Sequence, residues 1–372
     1  MLLGGSASAQ RPGPAPAPAP PVPTWSGTVL WATPLSAPPA HLPAFDAARM
    51  FAILRDGTLV AVDHLAGKVI WTVSRSASVP PVATAGLVVG AHGPAVWALD
   101  AATGQEKWTR QLDDGPALPL STAAGGILIG TAPGDLLMLA GTDGRIVWRV
   151  SLGATPTAVP VESGGLIVAG LADGRVLGLD ALTGAVTWTR KTGGAVLSLT
   201  ALPDRILAGS ADNFFYSLSP RDGGVDWRWR TGGDVTGTAV ADARRVYFLS
   251  LDNTLRALDR KHGDLKWQRP LTSRPVGGPQ FVGEFIVLAQ VAPELRCFTA
   301  GRGDPACVVS LPGRPLHRPC LATDQESGAV RLVFLSGGGQ AVAVGPSPEP
   351  PLVPMTSIPG TVLAPEVLPV IR

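Results

Sequence analysis

Cysteine is scarce in this 372-residue chain: Cys297, Cys307 and Cys320 are the three present. Their separations fit neither a Cys-x-x-Cys pair nor a zinc-ligand set. The odd count leaves at least one thiol unpaired, and spacing alone leaves a Cys297–Cys307 bridge across a hairpin open. A charge excess is lacking too. Against 28 acidic residues stand 30 basic ones, a net charge of +2, which is no counterion-release footprint for nucleic acid. No apolar run reaches the roughly 18 to 20 residues of a membrane-spanning helix. His41, His64, His92, His262 and His317 are isolated in the sequence, so no HExxH or nucleophile–base pattern forms, and no phosphate-cradling glycine loop is present.

Glycine and proline are plentiful, at 45 and 37 residues, against a combined average usage of about 12%. Long helices are therefore disfavoured. Hydrophobic residues make up 45% of the chain, the composition of a folded protein. A single core rarely grows past about 250–300 residues, so the length predicts either two domains or a repeat array.

The tryptophans decide for repeats. Trp31, Trp71, Trp108, Trp148, Trp188, Trp227 and Trp267 recur with a period of roughly 40 residues. One further step of the same length lands on Cys307. Four residues before each marker from Trp71 onward stands a glycine: Gly67, Gly104, Gly144, Gly184, Gly223, Gly263 and Gly303. Four residues earlier again, an aspartate recurs at Asp63, Asp100, Asp180 and Asp259. The unit reads Asp-x-x-x-Gly-x-x-x-Trp.

Within the unit around Trp188, strands are predicted at 156–161, 165–169, 175–180 and 185–190, separated by Gly-containing turns. Four short antiparallel strands in each repeat make the blade of a β-propeller. The glycine is expected to supply φ > 0 in the last hairpin, the aspartate to bond the turn backbone, and the indole to lie between neighbouring blades. After Cys307 the chain offers three strands, at 318–322, 330–335 and 340–344, and the segment around Trp31 has no strands before it. Placing that N-terminal strand in the last blade gives eight blades and no open edge. A seven-bladed ring would leave strands unpaired.

The Ala98–Trp108 and Gly178–Trp188 units resemble the tryptophan-docking repeat of the PQQ-like propeller superfamily, over about residues 26–345. Within it, an eight-bladed ring of this size behind an export leader is most similar to the outer-membrane β-barrel assembly factor family, BamB. The resemblance implies a non-enzymatic, monomeric scaffold in the periplasm or otherwise exported, whose protein partner is the barrel-inserting subunit.

The resemblance further implies a partner-binding acidic position in a loop leading into a blade. Counting back from Ala257-Leu258-Asp259 places it at Asp234. The family's second acidic position reads Thr236, and its leucine–arginine pair has no counterpart in 192–200. The superfamily also contains quinone-dependent dehydrogenases, with adjacent cysteines, a calcium site and a catalytic aspartate. Here no vicinal cysteines occur and Asp113-Asp114 is the one Asp doublet, so no cofactor is expected. PQQ with calcium belongs to that alternative, and a ligand-sensing or carbohydrate-binding propeller is the other.

Three further features stand apart from the repeat. Trp229, beside Arg228 in Trp227-Arg228-Trp229-Arg230, is either an exposed anchor for a partner or packed beneath a loop; Trp97 is also off the marker register. Arg274, Arg314, His317 and Arg318 are expected to make one rim basic. The Arg302-Gly303-Asp304 tripeptide coincides with a repeat turn and is read as one. At the ends, residues 1–24 read as a signal remnant, with Ala7-Ser8-Ala9 as its small-residue end, followed by a Pro-rich linker; no lipid-acceptor cysteine is present there. Residues 25–345 are the propeller and 346–372 a Pro-rich tail.

Overall fold

A computed structural model describes residues 27–323, 328 and 330–346. They form thirty-two strands in eight four-stranded antiparallel sheets. Blades 1 to 7 are continuous in sequence, at residues 44–74, 82–111, 121–151, 156–191, 196–230, 240–270 and 280–310. In each, the first strand lines the axis and the last lies at the rim. Blade 8 is composite: Cys320–Thr323, Val330–Ser336 and Gln340–Pro346 are completed by the N-terminal strand Gly27–Pro34. The eight-bladed ring closed by its two ends is the architecture expected from the repeat. The linker and most of the tail lie outside the described residues, and the last strand runs on to Pro346.

Each expected role in the repeat is visible. In blade 4 the predicted strands sit at Pro156–Ser163, Leu166–Leu171, Arg175–Asp180 and Val186–Lys191. Gly184 has φ +71°. A Cβ there would come within 2.7 Å of Trp148 Cε3, so glycine is needed both for the turn and for the close approach of the indole. Asp180 Oδ1 accepts the Leu182 and Thr183 N–H groups at 3.1 and 2.8 Å. These bonds, led by the Thr183 hydroxyl, hold the Asp180 carboxyl below its ordinary pKa.

The indole reaches across the seam. Trp148 Nε1 donates to Ala181 O at 3.1 Å, and Trp188 Nε1 to Pro220 O at 2.9 Å. The same bond joins Trp31 to Leu65 O, Trp71 to Ala101 O, Trp108 to Gly141 O, Trp227 to Arg260 O and Trp267 to Ala300 O. The core is accordingly a ring of inter-blade clusters rather than one centre; Trp188, for example, packs with Val168 and Val176 of blade 4 and Ile206 and Tyr216 of blade 5.

Two positions off the register acquire reasons. Trp97 is 3% exposed and fills the space left by Gly90, whose Cβ would lie 2.3 Å from the indole. The residue two beyond the marker also reaches the docked turn: Arg190 Nε bonds Gly223 O at 2.6 Å, and Arg269 Nε bonds Gly303 O at 2.8 Å. Arg302-Gly303-Asp304 is the turn that receives Trp267, as the repeat predicts.

Candidate functional site: the loop face and the central channel

The order of strands gives the ring two unlike faces. Turns carrying the Asp and Gly of the repeat cover one, the turn face. The segments linking blades, such as 231–239, 271–279 and 311–319, cover the other, the loop face. The turn face is committed to seams. The loop face therefore carries what the repeat does not dictate.

On the loop face, blades 5 and 6 use a paired device that the repeat search missed. Thr192-Gly193-Gly194 and Thr231-Gly232-Gly233 lead into them, and Asp212-Asn213 and Asp252-Asn253 turn within them. Gly193 N–H donates to Asp212 Oδ2 at 2.8 Å, and Gly232 N–H to Asp252 Oδ2 at 3.0 Å. Both asparagines have positive φ, 63° and 56°, in a region they tolerate better than most side chains. Burial would raise the Asp252 pKa, but bonds from Arg256, Ser250 and Gly232 outweigh it and hold the carboxyl well below the usual carboxylate range. Arg256 Nη2 meets Asp252 Oδ2 at 2.5 Å. The recurrence of Thr-Gly-Gly ahead of Asp-Asn in two consecutive blades was the available signal.

Asp234 lies in the loop this device anchors. Its carbonyl accepts the Leu251 N–H at 2.9 Å, which fixes the backbone, while its side chain is half-buried and makes no hydrogen bond among the described residues. Thr236, beside it, is exposed. Trp229 and Arg228 lie on the rim strand Val225–Arg230 of blade 5. Trp229 is half-buried, packed against the cluster of Leu207, Phe215, Trp227 and Phe248; of its two expected readings, packing describes it. Strand alternation turns Arg228 the opposite way, where its guanidinium lies 4.7 Å from the Phe214 ring centre. The three candidates therefore do not converge: Asp234 belongs to the loop face, and the other two to the rim.

The expected basic rim is smaller than its four residues. Arg274 and Arg314 are exposed, but His317 is 6% exposed, and burial lowers its pKa to about 4. Its Nε2 accepts the Leu335 N–H at 3.0 Å, so in the neutral ring Nδ1 carries the proton and donates to Arg318 O at 2.6 Å. His317 is a neutral clasp. Arg318, expected within a strand, precedes it; Pro319 lacks the N–H needed to extend the ladder, and the strand starts at Cys320. The guanidinium instead lines the axial channel.

That channel is lined by polar and apolar surface in similar measure. Its inner strands contribute residues such as Val82, Val159, Val161 and Leu199, and Leu120 adjoins one, around a cavity of about 570 Å³. Hydroxyls on these strands stitch blades together: Thr157 Oγ1 bonds Val196 O, Ser163 Oγ bonds Leu202 O, and Ser198 Oγ bonds Val235 O. The one carboxylate in the lining, Glu162, accepts the Ala124 N–H at 2.9 Å. Among the described residues no cluster of three His, Cys, Asp or Glu side chains could hold a metal ion. A calcium-bound quinone needs several oxygen donors around its ion, and this lining does not fit it.

Cys297 and Cys307 face each other on adjacent strands of blade 7 and are disulfide-bonded, with a Cα–Cα distance of 4.8 Å. Cys320 is the free thiol, and burial raises its pKa. No helix of the described residues is long and apolar enough to cross a membrane.

A family model described as outer membrane protein assembly factor BamB matches residues 22–128, 121–209 and 200–304. The chain belongs to that family. Among solved structures, BamB from Moraxella catarrhalis has a TM-score of 0.72 at 20% identity, covering 86% of this chain and 98% of that one. Sqt1 from Saccharomyces cerevisiae has a TM-score of 0.73 at 10% identity, covering 88% and 100%. A quinohemoprotein alcohol dehydrogenase from Pseudomonas putida has 0.68 at 12%, covering 87% and 78%. At such identities each is a likeness of fold. No curated protein matches the sequence.

Proposed function

We propose that this chain is a non-catalytic protein-interaction scaffold of the bacterial cell envelope, acting in outer-membrane β-barrel assembly and holding the barrel-inserting subunit on its loop face at blade 6. The observation that carries the reading is the match to the BamB family across residues 22–304. The loop containing Asp234 suits the role, because Asp252 and the Leu251 N–H hold it in place before any partner arrives, which lowers the ordering cost of binding. A quinoprotein reading gains the fold of the alcohol dehydrogenase but finds a single carboxylate, Glu162, in the channel lining. The location is proposed to be periplasmic, on the strength of the family and of Ala7-Ser8-Ala9, which lies outside the described residues.

The test is affinity isolation of the tagged chain from gently solubilised envelope, with mass spectrometry of co-purifying proteins. Enrichment of the barrel-inserting subunit, reduced about tenfold or more by Asp234→Arg, is expected; buried charge reversal at an interface commonly has an effect of that size. Recovery of the propeller alone would sink the scaffold reading. Enrichment that survives Asp234→Arg would move the contact away from blade 6.

A further inference from the structure

At the loop face the channel opens into a mouth of about 470 Å³, within the size range of small-ligand sites. Leu197, Leu199, Val159, Val276 and Leu316 supply apolar wall, and Arg318 supplies the one formal charge in the lining. Its Nη1 donates to Thr238 Oγ1 at 2.8 Å. No carboxylate among the described residues pairs with it.

The arginine is held in position from several sides, its backbone and Cβ as well as its guanidinium. The His317 ring bonds the Arg318 carbonyl and the Leu335 N–H. Gly277 has φ +75°, and a Cβ there would press on Arg318 Cβ at 3.2 Å. Gly278 passes so close to the Thr238 carbonyl that a Cβ would lie 2.0 Å from it. The three linking loops of blades 6, 7 and 8 thus stack closely around the arginine, which is presented to the cavity rather than left on a free surface.

We propose that this mouth binds an alkyl carboxylate, with the carboxylate on the Arg318 guanidinium and the alkyl chain along Val159, Leu197, Leu199 and Val276. The lining discriminates among ligand classes. A cation meets no carboxylate at the mouth, and a phosphate dianion or polyanion meets a single cation. A sugar needs many free donors and acceptors, yet the Ser198 hydroxyl already donates to Val235 O and the Thr238 oxygen already accepts from Arg318. A monoanion with an apolar tail uses both the charge and the wall.

The test is calorimetric titration of the isolated full chain with decanoate, decanol and acetate, all below micellar concentrations. Decanoate is expected to bind saturably at one site, and decanol and acetate at least tenfold more weakly. Arg318→Met should weaken decanoate by about 10- to 100-fold, the usual range for losing a charge-assisted bond in a desolvated site, and leave decanol unchanged. No saturable decanoate binding, equal affinity of decanol, or undiminished binding by Arg318→Met would each overturn the proposal. A decanoate with a photoreactive chain end, used on the unsubstituted protein, keeps the test decisive if the variant fails to fold: label on Val159, Leu197, Leu199 or Val276 supports the site, and label elsewhere contradicts it. The titration contains no protein partner, so its failure is distinct from failure of the scaffold reading.

Discussion

Blade 4 and blade 8 have the same four strands but are built differently. Blade 4 is continuous, and its last turn, at Gly184, receives Trp148 from blade 3. Blade 8 takes its rim strand from the other end of the chain, paired from Gly27↔Pro346 to Pro34↔Gln340. No turn connects that strand to its neighbour, so among the described residues there is no repeat turn on which a marker indole from blade 7 could dock. The marker there is Cys307, bonded to Cys297, and Val309, Leu332 and Phe334 pack the seam. On the other side, Trp31 of the borrowed strand docks on Gly67 and donates to Leu65 O. The missing tryptophan is therefore a consequence of where the ring is cut.

The comparison can be broken most severely at the borrowed strand. Removing residues 1–34 deletes both a strand and the docking indole, exposing an apolar sheet edge. The loss in thermal stability should exceed the roughly 3–5 kcal/mol of one large core truncation, and the product should associate through its edge in sedimentation experiments. An unchanged melting transition would show that blade 8 does not need the strand.

Trp188→Ala tests an ordinary seam and should cost about 3–5 kcal/mol in denaturant unfolding. Trp188→Phe keeps most of the ring but loses the bond to Pro220 O, and should cost less. Equal losses would assign the seam to the hydrogen bond instead of to packing.

His317 sharpens the comparison by pH. Its pKa falls from the ordinary 6.5 to about 4 on folding, so between those values the unfolded chain binds more protons. The stabilisation from a neutral His317 is complete above pH 6.5 and is lost as pH falls toward 4, by up to about 3 kcal/mol. Stability curves of the parent and His317→Gln should converge as the pH drops through that window; parallel curves would refute the neutral clasp.

The smallest expected effect is at the 7/8 seam. Replacing both Cys297 and Cys307 with alanine should cost about 2–3 kcal/mol, as for a disulfide closing a short loop. Local hydrogen exchange should rise in blades 7 and 8 and remain unchanged in blade 4.

The seams were legible in the sequence because one indole, one left-handed glycine and one turn-bonding aspartate recur at fixed offsets, and each has a geometric necessity. The blade count followed from unmatched strands at the two ends. The loop face was far less legible. Asp212 and Asp252 bond glycines in the loops that enter their own blades, and Arg318 acquires its meaning from Thr238, Gly277 and Gly278 in the loops of two other blades. Such contacts are set by the packing of the loops and leave no local period. Trp229 was left open between an exposed anchor and a packed side chain, because alternation shows which way a side chain points, not what the next blade places against it. His317 looked like a rim charge for the same reason.

Ring closure by the N-terminal strand is tested most directly by a disulfide between Ala32→Cys and Val342→Cys, which are register partners, in a Cys320→Ser background. Mild oxidation should join them within one chain, giving a faster-migrating monomer on a non-reducing gel and a higher melting temperature. Failure to bridge, or bridging solely between two chains, would contradict a ring locked by its own ends.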